Sequence, residues 1–146
     1  MPRLKVPKTV KGLIRRADLI DEDLRYVVST QCKTAAELWQ RDDMPPQCRI
    51  WIAQHVFSSA QSKEFIESIN FIKFKNNDHW PTSYRDGFAY AVKTNNLWLA
   101  SYYAGYATAY DAHTNGATEE EFDEVLESTW ATHAAEIRRI MPTWPS

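Results

Sequence analysis

The chain has 146 residues, 44% hydrophobic and 25% charged, and its 17 Lys and Arg against 19 Asp and Glu leave a formal net charge of −2. That size supplies one core large enough to need no metal or disulfide as a staple, and an aromatic share of 13% excludes a disordered chain. No apolar run approaches the roughly 18 residues that cross a bilayer, and the N-terminus MPRLKVPKTVKGLIRRADLI lacks the apolar stretch of an export signal, so a cytoplasmic protein without a membrane partner is expected.

Residues 1–12 form a basic arm, with Val6, Val10, Leu13 and Ile14 interleaved so that part of it can pack as a first helix. Asp21 opens DLRYVVSTQ, where Leu24, Val27 and Val28 share a helical face at i, i+3 and i+4. Thr34 and Glu37 make a capping box for AAELWQRDD, and Pro45 and Pro46 stop that segment and start QCRIWIAQHVF, a largely buried helix. Ser62 is placed to cap KEFIESINFIKF, whose end INFIKF also fits a strand by alternation. After the breaker cluster KNNDHWPTS, Thr82 or Ser83 caps YRDGFAYAVK, and Asn95 or Asn96 caps LWLASYYAGYATAYDAH.

That last helix has small residues three or four apart, from Ala100 to Ala112, and a tyrosine series at 103, 106 and 110. The loop HTNGAT leads to a second capping box, Thr118 with Glu121, and to a long helix striped by Phe122, Val125, Leu126, Trp130, His133 or Ala134, Ile137 and Met141. The expected architecture is all-α, a compact single-domain helical bundle of about six or seven helices. Its two longest helices are expected to lie antiparallel at the C-terminal end, because the loop between them is short.

Charge falls in blocks. Arg3, Lys5, Lys8, Lys11, Arg15 and Arg16 are six bases without an acid, whereas Asp111, Glu119, Glu120, Glu121, Asp123, Glu124 and Glu127 are seven acids without a base. Acids in the first turn of a helix suit its dipole. A basic arm is suited to phosphates, which makes Lys5, Lys8, Lys11, Arg15 and Arg16 the candidate residues of a nucleic-acid contact.

Cys32 and Cys48 have neither the spacing of a zinc site nor that of a redox pair, and read as reduced thiols packed in the core. No phosphate loop, dinucleotide fingerprint, HExxH or nucleophile elbow is present, and the four histidines are scattered. His113 with Asp111 and Glu120, and His133 with Glu136, are the groupings an enzyme or ligand-binding bundle would draw on. The inward Glu and ExxH motifs of a metal-binding bundle are missing, so no catalytic residue, metal or cofactor is assigned.

The segment TAAELWQRDDMPPQCRIWIAQHV, followed by YYAGYATAYDAH and AAEIRRIMP, is similar to small helical proteins encoded by bacteriophages and prophages, some of them labelled immunity proteins. The basic N-terminus and the DD-PPQ junction depart from that pattern. The resemblance implies a phage-type accessory protein acting in a bacterial cytoplasm; together with the aromatic surplus and the absence of catalytic constellations it makes the expected function non-enzymatic binding of a host protein, as an inhibitor of a defence system, of the anti-defence or anti-CRISPR type. Surplus Tyr and Trp anchor interfaces, so the partner-binding candidates are Trp80, Tyr84, Arg85, Tyr103 and Tyr110 with the acids Glu119, Glu120 and Asp123. The tyrosine series would otherwise serve as a core seam or as the seam of a homodimer.

Overall fold

The computed structural model describes residues 6–73 and 81–145, and within them the chain forms eight α-helices and no strand. These are α1 (Val10–Ala17), α2 (Asp21–Thr30), α3 (Ala35–Trp39), α4 (Pro46–Val56), α5 (Ser59–Lys73), α6 (Thr82–Thr94), α7 (Leu97–Thr114) and α8 (Glu119–Ile140). The count exceeds the expected six or seven because the basic arm itself turns helical at Val10, burying Val10, Leu13 and Ala17. Arg3, Lys5 and Trp80 lie outside the described residues. Among the described residues no helix is long and apolar enough to cross a membrane.

Local chemistry explains most helix ends. Thr9 accepts from the Gly12 amide at 3.0 Å and Thr34 from the Glu37 amide at 3.2 Å, each capping its helix. The two caps also face each other: the Val10 amide donates to the Lys33 carbonyl and the Ala35 amide to the Lys8 carbonyl, both at 2.9 Å. Two helix starts thus use one another's backbone to satisfy amides that would otherwise lack partners. Asn95 and Asn96 divide one turn between them. Asn95, at φ 54°, closes α6 in the left-handed conformation, and the Asn96 side chain accepts from the Leu99 amide to start α7.

Other ends correct the sequence reading. Ser58, not Ser62, caps α5: its Oγ accepts from the Gln61 amide while Gln61 Oε1 accepts from the Ser58 amide, and Ser62 is buried one turn inside. The segment 69–73 is helical rather than extended, because it continues the turn that buries Phe65, Ile66 and Ile69. Pro81 precedes α6, so neither Thr82 nor Ser83 caps it. α3 ends at Trp39 instead of running to Asp43. In α2 only Val27 is buried, and Val28 is 62% exposed.

α7 and α8, of 18 and 22 residues, form the spine. Ser101 meets His133, Tyr106 meets Trp130 and Phe122, and His113 meets Phe122, so the pairs run in opposite order along the two helices. Ala100, Ser101, Ala104, Gly105 and Ala109 are buried, and it is these small residues that let α8 approach. α4, α5 and α6 pack around this pair, and α1 and α3 close the end where α8 finishes.

Four indoles join distant segments by donating to backbone carbonyls: Trp51 to Ala17, Trp39 to Met141, Trp144 to Pro7, each at 2.7 Å, and Trp130 to Ser101 at 3.2 Å. Much of the tryptophan surplus therefore holds the bundle together. Trp39 and Trp144 also pack ring to ring at 5.5 Å. Arg49, 3% exposed, lies 4.7 Å over the Trp39 ring and donates to the Trp39 and Arg41 carbonyls at 2.8 and 2.7 Å.

Cys32 is half-buried and Cys48 fully buried, both as free thiols. Burial, reinforced by the nearby Asp23 charge, pushes the Cys48 thiol up to about 12 from 9.0. A group raised on folding gives stability that is intact below its unfolded pKa and is lost as pH climbs toward the folded value. Between pH 9 and 10 this thiol should lower stability by up to about 1.4 kcal/mol per pH unit, on top of the tyrosine and Arg49 titrations that share the window, so the difference between the parent chain and the variant carries its share. Urea unfolding followed across that window should show the slope, and Cys48→Ala should flatten it. An equal slope in the variant would place its origin elsewhere.

Candidate functional site

Five tyrosines converge where α6, α7 and the start of α8 meet. Pro81 starts α6, which sets Tyr84 and Arg85 in its first turns. On α7, Tyr102, Tyr106 and Tyr110 recur at i, i+4 and i+8 and so share one face. The Tyr84 ring stands edge-on to Tyr110 and tilted to Tyr106, both at 6.2 Å between centroids, and Tyr102 lies 4.8 Å from Tyr106. Phe122 of α8 joins Tyr106 at 6.3 Å. The surface is half-buried through most of its extent and opens at Tyr102, which is 38% exposed.

Tyr103 occupies a different place in the cluster. Its ring presses on Gly87, where a side-chain carbon would overlap the ring, so it is a wedge between α6 and α7. The outward stripe is 102, 106 and 110, whereas the sequence reading took 103, 106 and 110. Tyr102 belongs to the stripe in place of Tyr103, and the i, i+4, i+8 spacing is the signal that finds it.

Burial raises the pKa of Tyr84, and its neighbours Tyr102 and Tyr110 add to the rise; burial with Tyr106 does the same for Tyr102. These phenols stay neutral near pH 7 and present both hydrogen-bond donors and acceptors on a rigid apolar body. Arg85 is half-buried, and its Nε is enclosed without a hydrogen-bond partner among the described residues.

The acids lie at the same end of the bundle. The Thr118 and Glu121 capping box starts α8, and Glu119, Glu120 and Asp123 project from its exposed first turns. His113 Nδ1 donates to the Ala117 carbonyl at 3.1 Å and helps close the loop. Phe122, packed on both Tyr106 and His113, makes the acidic turn continuous with the tyrosines. Among the described residues, no group of three or more His, Cys, Asp and Glu is arranged to hold a metal ion.

The basic candidates lie at the other end. Lys8, Lys11 and Arg15 are exposed on and before α1, and Lys33 joins them through the paired caps. Trp144 holds Pro7 against the C-terminal end of α8, so the acids of the first turn of α8 and the basic end lie at opposite ends of that helix, which is about 33 Å long at 1.5 Å per residue.

Ser101 Oγ and His133 Nδ1 lie 2.8 Å apart, the pairing a nucleophile and base would need. Ser101 is 1% exposed and set within α7, whose backbone amides are consumed by the helix itself. A substrate carbonyl would find neither access to the hydroxyl nor an oxyanion donor beside it. The pair acts as a polar link between α7 and α8.

Comparison with protein-family models, with curated proteins and with solved structures finds no match.

Proposed function

We propose that the chain is a non-enzymatic phage accessory protein that grips a host bacterial protein through the tyrosine surface of α6 and α7 and the adjoining acidic turn of α8, and thereby inhibits a defence system. The observation that carries this reading is the continuity of Tyr84, Tyr102, Tyr106 and Tyr110 with Phe122 and the exposed acids. Rigid aromatic bodies with a polar edge concentrate binding energy at interfaces, and the carboxylates favour a partner with a basic contact surface. The phage setting rests on the sequence resemblance alone.

A tagged chain should retain one stoichiometric protein from nuclease-treated bacterial lysate through washes at about 150 and 500 mM salt, where screening increases. The double variant Tyr84→Ala/Tyr110→Ala should lose it while melting cooperatively. Full retention by that variant would remove the tyrosine surface from the reading.

The exposure of Lys8, Lys11 and Arg15 beside Lys33 favours a second reading, in which the basic end contacts nucleic acid. Its mark is retained material that disappears with nuclease and an affinity that falls steeply with salt.

A further inference from the structure

A cavity of about 290 Å³ lies between the later half of α5 and the middle of α8, well apart from the tyrosine surface. Its volume is at the lower edge of the range of roughly 300–1,000 Å³ that holds small molecules. α8 supplies Thr129, Thr132, His133 and Glu136, which fall at i, i+3, i+4 and i+7 and so share a face, and α5 supplies Ser68 and the apolar wall of Ile69.

Three of the hydroxyls of this lining are already committed as donors. Ser68 Oγ donates to the Phe65 carbonyl at 2.8 Å, Thr129 Oγ1 to Val125 at 2.8 Å and Thr132 Oγ1 to Ser128 at 3.1 Å. A hydroxyl has one proton and two lone pairs, so each offers the cavity only acceptor capacity. Glu136 adds a carboxylate, with one oxygen engaged by Arg139 at the rim and the other available to accept. Three committed hydroxyls and a carboxylate thus give the lining an excess of acceptors beside one apolar wall, with the His133 ring and the Ser128 hydroxyl as its remaining polar groups.

We propose that this cavity binds a small organic ammonium ion, a primary amine on a short aliphatic stem. Its N–H groups donate to the Ser68, Thr129 and Thr132 oxygens, its charge lies against Glu136, and its stem packs on Ile69. Arg139 holds the same carboxylate and also lies 3.5 Å from Glu64, so it keeps an acid partner when an ammonium takes its place at Glu136. The inference is independent of the partner reading, because no residue of the tyrosine surface lines the cavity.

The test is calorimetry on the intact chain with 1,4-diaminobutane and butylamine, against 1,4-butanediol and glutarate as neutral and anionic probes of similar length. Both amines should bind saturably at one site, and the diol and the diacid should not. Glu136→Gln should weaken the amines at least tenfold. Thr132→Val keeps the shape, removes one acceptor and should weaken them severalfold. Glu67→Gln, an acid on the exposed side of α5, should leave binding unchanged. Should Glu136→Gln fail to fold, Thr132→Val decides. Absence of saturable amine binding, equal binding of the diol, or full affinity in a folded Glu136→Gln or Thr132→Val protein would overturn the proposal.

Discussion

Arg49→Ala is expected to lower the free energy of unfolding by about 4 kcal/mol, most of it from two carbonyls left without partners at about 1–3 kcal/mol each. The guanidinium is buried with no carboxylate paired to it among the described residues, and it donates to the Trp39 and Arg41 carbonyls just where the five-residue α3 ends. Burial, with Arg138 nearby, depresses its pKa to about 10. It stays charged at neutral pH, facing the negative end of a helix dipole and the Trp39 ring. The planar fork spans both carbonyls and stacks on the indole, which an ammonium cannot do. Arg49→Lys should therefore recover less than half the loss, and Arg49→Met should restore volume alone. Urea unfolding provides the measurement, and a loss below 1 kcal/mol for the alanine variant would contradict this account of how α3 is held.

Gly105→Ala should destabilise by about 2 kcal/mol, although the same change in an exposed helix interior gains about 1 kcal/mol. A Cβ at 105 would lie 2.5 Å from Trp130 Nε1 and 3.1 Å from two further indole atoms. The ring cannot swing aside freely, since its N–H is held by the Ser101 carbonyl and its face by Tyr106 at 5.9 Å. Either the indole bond breaks or α7 and α8 separate, and overpacking of this kind costs about 1–3 kcal/mol beyond the lost propensity gain. A double-mutant cycle isolates the cause. In a Trp130→Phe background the glycine substitution should become neutral or stabilising, a coupling of about 2 kcal/mol. Additive losses would mean that Gly105 matters for some reason other than the indole.

The two long helices, their caps and the stripe from Phe122 to Met141 were legible because each depends on neighbours within a few residues: Thr118 with Glu121, Asn96 with Leu99, and small residues spaced three or four apart. What escaped depends on partners remote in the chain. Val28 has the right spacing to share a buried face with Leu24 and Val27, yet no neighbouring element covers it and it stays exposed. Ser58 took the α5 cap because Gln61 could reciprocate, a pairing passed over in favour of Ser62. The bonds of Trp39 and Trp144 span 102 and 137 residues, and no local pattern announces them. Tyr84 and Tyr110 were named together from sequence and do meet, whereas Tyr103, one position from the outward stripe, turned onto Gly87.

The separation of charge along α8 alters what a formal net of −2 means. At physiological ionic strength an exposed charge is screened beyond about 8 Å, a small fraction of the distance between the two ends. A molecule approaching either end responds to that end alone, so the near-neutral whole is a quantity no partner encounters. The start of α8 presents itself as an anion, whereas the bases on and before α1 share their end with the acids of α2 and of the turn after α3, so a charged surface is oriented by the groups within that range and not by the sum.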